Sequence, residues 1–171
     1  MNIFKLADDP AQCAEDHCDK HIVKMILEYG QLLSTAHHVL DGEDAPEGIY
    51  KKTHVNHPSA VWARESSMNY LWLYTLMCEC IDEYTRRYGK YHATEFLIPM
   101  LCRKPKNMPF GHLTEIPQCI PDEYQREGDP VGAYRAYYKG EKAHFAKWNY
   151  PNTPFWGDKE QQDQSTRYKK K

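Results

Sequence analysis

No stretch of the chain approaches the ~20 apolar residues that a membrane-spanning helix needs, and its N-terminus lacks the basic stretch and apolar run of a signal peptide. There is no internal repeat and no βαβ alternation, which argues against solenoids and doubly wound sheets. The six cysteines, Cys13, Cys18, Cys78, Cys80, Cys102 and Cys119, include no Cys-x-x-Cys pair of the zinc or redox type. An even count does not by itself make a disulfide framework. These absences predict a cytoplasmic protein with free thiols and no membrane partner. A strong charge of either sign is missing too. At a formal net charge of −2, the chain as a whole does not attract phosphate backbones, so any nucleic-acid role has to rest on a local patch. Four patches qualify: Lys51-Lys52 with His54 and His57, the run Arg103-Lys104-Pro105-Lys106, the segment Arg135 to Lys147, and the tail Lys169-Lys170-Lys171.

Aromatic side chains are abundant, at 13% of 171 residues with 13 Tyr and 4 Trp. Such rings suit cores, and equally sites that stack on bases. Asp8-Asp9-Pro10 reads as a helix start, and a long helix is expected over 11–40, stopped by Gly42, Pro46 and Gly48. His57-Pro58 opens a second long helix that runs to Arg87 and stops at Gly89. A shorter helix is expected over 92–102. Pro105, Pro109, Pro117 and Pro121 then leave an ordered loop or lid to about Gly128. Asp129-Pro130 starts a last helix reaching Trp148. The expected fold is all-α: one compact domain over 1–150, built on three long helices with a shorter helix and a Pro-rich loop, followed by an extended or partly disordered tail over 151–171.

At ~100° per residue, the first helix collects His17, His21, Lys24, Glu28, Gln31 and Thr35 on one side, with Ile22, Val23, Ile26, Tyr29 and Leu33 opposite. A solvated face would look like this. So would a site, because imidazole, ammonium and carboxylate within three turns can supply an acid, a base or a nucleophile near neutral pH. The expectation is that His17, His21, Lys24 and Glu28 line one concave pocket. His17 and His21 stand at the i, i+4 spacing of metal-binding pairs, but the Glu of His-Glu-x-x-His and a third ligand are missing, so no metal or other cofactor is expected. On the last helix Tyr134, Tyr138, Glu141, Phe145 and Trp148 share a face. Arg135, Lys139 and Lys142 beside it suit phosphates, and Tyr137 or Tyr138 would suit a base.

Three separated segments carry a resemblance. Asp19-Lys20-His21 through Glu28 to Gln31, the helix from His57-Pro58 to Glu83-Tyr84-Thr85-Arg86-Arg87-Tyr88-Gly89, and Tyr134-Arg135-Ala136-Tyr137-Tyr138-Lys139-Gly140 together resemble, in order, the phage-type pyrimidine-dimer DNA glycosylases, the endonuclease V family. The resemblance implies a DNA glycosylase and AP lyase acting on double-stranded DNA with a damaged or modified base. It places the catalytic carboxylate on Glu28 and a site histidine on His21. It also implies an amine nucleophile that attacks C1′ to form an imine, and extrusion of a base from the duplex.

Two positions depart from that pattern. Residue two is Asn2 where the family has a small residue, usually Thr, whose amine is exposed by removal of the initiator. The amine could then belong to Met1 or to Asn2, or Lys24 could serve. Leu27 and Gln31 stand where the family has arginines. The substrate-binding candidates are therefore His17, Gln31, His57, Arg135, Tyr137, Tyr138, Lys139 and Lys142. Two rival readings remain open: an enzyme of the same fold acting on a modified base or free nucleotide, and a non-enzymatic DNA-binding module.

Overall fold

The computed structural model describes residues 1–148 and 153–157, and every regular element among them is helical. Helix α1, Pro10–Asp16, begins where Asp9 accepts the Gln12 N–H and Pro10 occupies a first-turn position. Helix α2, Asp19–Asp41, follows after a break, so the single helix expected over 11–40 is two. The break has a side-chain cause. His17 Nδ1 takes the Cys13 carbonyl at 2.6 Å, the acceptor that the backbone N–H of residue 17 would otherwise use. Arg87, with its side chain buried, donates to the His17 and Glu15 carbonyls at 2.8 and 3.0 Å. The same guanidinium pairs with Glu83 and Asp19.

A second expected helix is also divided. Helix α3, Pro58–Glu65, ends at Ser66, whose extended backbone starts α4, Ser67–Tyr88. The Ser66 hydroxyl accepts the Asn69 N–H and donates to the His112 carbonyl. The Ser67 and Met68 N–H groups reach the Pro109 and Gly111 carbonyls, so the Pro-rich loop fills the first turn of α4. Apolar periodicity runs through both breaks, which is why it cannot show them. Gly89, at φ 64°, closes α4 in the left-handed conformation.

Helices α2 and α4 pack antiparallel. His37 meets Tyr70 at one end, and Asp19 meets Arg87 at the other. Ile22, Ile26, Tyr29 and Leu33 of α2 face Leu73, Leu76, Met77 and Cys80 of α4 in a core from which solvent is excluded. Val23, expected on that apolar side, is instead 47% exposed.

The expected short helix is a 3₁₀ turn, Ala93–Leu97, running into α5, Ile98–Leu101. The last helix is shorter than its pattern suggests: α6 spans Pro130–Tyr137 and loosens into a π turn over Tyr138–Lys142. Gly140 sits there against Tyr124, where a Cβ would run into the ring. Trp156, within the segment read as a tail, is buried and donates to Asp16 at 3.1 Å. The rest of that tail apart from 153–157, with Lys169 to Lys171, lies outside the described residues. No helix among the described residues is long and apolar enough to cross a membrane, and their six cysteines are free thiols.

Candidate active site

The apolar lead-in, residues 3–6, is pinned to α1 and α2 by its own backbone. Phe4 N–H donates to Tyr29 Oη at 3.3 Å, Leu6 N–H meets the Cys13 sulfur, and the Cys13 thiol donates to the Phe4 carbonyl. The Phe4 ring lies on His21 with centroids 4.3 Å apart. Ahead of it, Asn2 is fixed from three sides. Its Oδ1 accepts from the Tyr134 hydroxyl at 2.6 Å and from Ile3 N–H, and its amide nitrogen donates to the Cys119 carbonyl at 3.0 Å. The Asn2 side chain is therefore an anchor, and the chain's first amine stands beside it.

The expectation that His17, His21, Lys24 and Glu28 share one concave pocket does not hold. His17 is fully buried. Since its Nδ1 must donate to the Cys13 carbonyl, its Nε2 accepts from the Tyr29 hydroxyl at 2.7 Å. Burial lowers its pKa to about 4. His21 is buried between Phe4 and Tyr138, with Nδ1 bonded to the Tyr138 hydroxyl. Burial first, then the charges of His17, Lys142, Lys24 and Lys20, lowers its pKa to about 3. Both imidazoles are neutral at physiological pH and hold structure; neither is poised for proton transfer. Lys24 lies open, its ammonium 3.7 Å from a Glu28 carboxylate that is only 18% exposed. Gln31, one turn on, is half-buried. Thr35 is buried, and its hydroxyl exchanges hydrogen bonds with the Thr53 backbone.

That Thr35 contact ties the loop 50–57 to α2, and His57 at the end of this loop feels the charge of Glu28. Arg64 fastens the same loop through the Val55 carbonyl. His57 caps α3 by accepting the Ser59 N–H on Nδ1 at 3.1 Å, which leaves its proton on Nε2. Partial burial lowers its pKa, the N-terminal ammonium and His54 add to the lowering, and Glu28 opposes it. His57 thus feels the charges of both the first amine and the Glu28 carboxylate. Cys119 lies with its sulfur 3.7 Å from the Ser59 hydroxyl, and its backbone N–H donates to the Tyr134 hydroxyl.

A model of the pyrimidine dimer DNA glycosylase family matches residues 1–97, more than half of the 171-residue chain. The chain belongs to the pyrimidine dimer DNA glycosylase family. No curated protein and no solved structure matches it. Membership makes it a DNA-glycosylase-like enzyme with DNA as its partner. The matched segment contains Met1, Asn2, Glu28 and His57, while Cys119 and Tyr134 come from beyond it.

The cationic surface of this glycosylase-family chain differs from the one expected. Arg135 turns inward: its Nε donates to the Leu6 carbonyl at 2.8 Å, and its guanidinium lies over Phe155 and Trp156. Tyr138 is buried. Tyr137 is half-buried and parallel to Phe4. Lys139 is exposed. What surrounds His21 is a lysine trio, Lys20, Lys24 and Lys142. Lys20 and Lys142 are steadied over the Phe145 ring at 4.6 and 5.7 Å, and Lys142 also over Tyr137. Lys20 was missed by the sequence reading, although its place one turn before Lys24 was a visible signal. Cys119 and Ser59 carried no local signal. Among the described residues, no group of three or more His, Cys, Asp and Glu side chains is arranged to hold a metal ion.

Proposed function

We propose that the protein is a DNA N-glycosylase with lyase activity, in which the N-terminal α-amine is the nucleophile and Glu28 the proton-transfer group. The observation that carries this is the anchored Asn2, which fixes the first amine beside it, together with a half-buried Glu28 whose charge and that of the amine both act on His57. The deprotonated amine attacks C1′ of the damaged nucleotide. The glycosidic C–N bond breaks, the base leaves with a proton, and the opened sugar is held as an imine. Glu28 then removes a C2′ proton, and the 3′ phosphate leaves with the C–O electrons. His57, in the tautomer set by Ser59, offers an Nε2–H donor to a phosphate or sugar oxygen. It is not the base.

Lys20, Lys24 and Lys142 take the place of the absent arginines as phosphate contacts flanking the site. Lys24 is paired with Glu28 and open to solvent, which favours the α-amine over Lys24 as nucleophile, because a reactive lysine needs desolvation. Borohydride reduction on duplexes carrying an abasic site or a pyrimidine dimer tests the reading. The expected product is one covalent complex whose cross-link maps by mass spectrometry to residue 1. A cross-link on Lys24 would move the nucleophile, and the absence of any complex would remove the imine mechanism.

A further inference from the structure

The run Arg103-Lys104-Pro105-Lys106 plays no part in the site at Glu28. It rims a pocket of about 600 Å³ between the start of α4 and the loop 102–110, a volume typical of small-molecule sites. One wall is Leu71 and Tyr74, and Phe110 stands beside it with its ring 91% exposed. Tyr70, deeper in, is held by His37 Nε2 at 2.8 Å and donates to the Leu101 carbonyl at 2.7 Å. His37 lies nine residues beyond Glu28 on α2, roughly 13 Å along the axis and half a turn around it. The pocket is therefore at a different end and side of the helix from the proposed active site.

Charge complementarity narrows the occupant. Arg103, Lys104 and Lys106 are exposed and form no ion pair among the described residues. Asp41, which meets this loop, accepts from the backbone N–H groups of Lys106 and Asn107 and from the Asn107 amide. A monoanion such as a fatty acid needs one cation. Three side by side suit a polyphosphate, and the adjoining rings suit a flat base.

We propose that this pocket is a second binding site, separate from Glu28, for a free nucleoside di- or triphosphate, with the base against Phe110 and Tyr74 and the phosphates on Arg103, Lys104 and Lys106. Titration calorimetry with ATP and with dTTP tests it on the full chain. Both are used because stacking discriminates weakly among bases. Binding of at least one with Kd below about 1 mM is expected. The substitution of Arg103, Lys104 and Lys106 together by Ala should weaken it more than about tenfold, and Phe110→Ala at least about fivefold. These side chains are exposed, and unchanged melting would confirm that the variants fold. Glu28→Gln should bind as wild type. No heat at 1 mM nucleotide, equal affinity in the triple variant, or loss of binding in Glu28→Gln would overturn the site. Pyrophosphate bound as tightly as the nucleotide would remove the base contact, and (dT)6 bound more tightly would replace the free nucleotide by a strand.

Discussion

His17 and Glu28 lie on one stripe of the sequence, yet the structure gives them opposite surroundings. Around His17 the lead-in, α1 and Arg87 close over the ring, and every polar atom of the imidazole is matched to a fixed partner. Glu28 is paired with the open Lys24, its charge acts on His57, and the carboxylate keeps part of its exposure. A shared helical phase fixes direction but not depth. Depth is set by what packs there, and packing is a long-range property.

Substitutions at the two ends should separate these environments. The largest effect belongs to Glu28→Gln, which should lower turnover by about 10² to 10⁴-fold, the usual range for a lost proton-transfer group, with melting unchanged. Single-turnover assays on abasic duplex would show it, and near-wild-type activity would remove Glu28 from the mechanism.

His17→Ala is expected to do the reverse at first order, costing roughly 3 kcal/mol of stability because Tyr29 and the Cys13 carbonyl lose their buried partner. Urea denaturation is the measurement. A loss under about 1 kcal/mol would mean that water replaces the ring without penalty.

The buried imidazoles also make stability depend on pH with a definite sign. Each titrates near 6.5 when unfolded, and at about 4 (His17) or about 3 (His21) in the fold. Between those values the unfolded chain holds more protons. The contribution is therefore present above pH 6.5 and lost as pH falls toward the folded values. From pH 7.5 to 5 each should account for about 2 kcal/mol. The stability of His21→Gln should accordingly fall less steeply than wild type over that interval.

The smallest effect concerns the cations. Replacing Lys20, Lys24 or Lys142 by Ala should each flatten the dependence of log DNA affinity on log salt by about one unit. Arg135→Ala should leave the slope alone and lower stability, since its guanidinium holds Leu6 and the Trp156 region. A slope that responds to Arg135 and not to the trio would place the phosphates on the other side of α6.

The helical elements were legible because their ends are chemical: Asp9-Pro10, His57-Pro58, Gly89 and Asp129-Pro130 all mark boundaries in the structure. Glu28 came into view as a candidate through its neighbours on α2 and the resemblance they carry. The breaks at His17 and Ser66 were not, because each depends on a partner far along the chain, Arg87 in one case and the loop 109–112 in the other. The burial of His17 and His21 escaped notice for the same reason. Polar residues on one helical face look solvated until Phe4, Tyr29 and Tyr138 are known to meet them. Arg135 was read as a phosphate ligand because sequence shows a charge and not its direction.

The bend between α1 and α2 has a consequence for the order in which the chain acquires its shape. Its carbonyls at Glu15 and His17 are claimed by a side chain some seventy positions later, so the local His17–Cys13 contact is reinforced when α4 is in place. A peptide limited to 8–41 would keep the His17–Cys13 contact but lack the Arg87 bonds, and should hold the bend less firmly. The angle between α1 and α2 is thus made firm late, when α4 docks. Nascent chains still lacking Arg87 would carry the proposed catalytic carboxylate without the bonds that fasten α1 against α2 and α4.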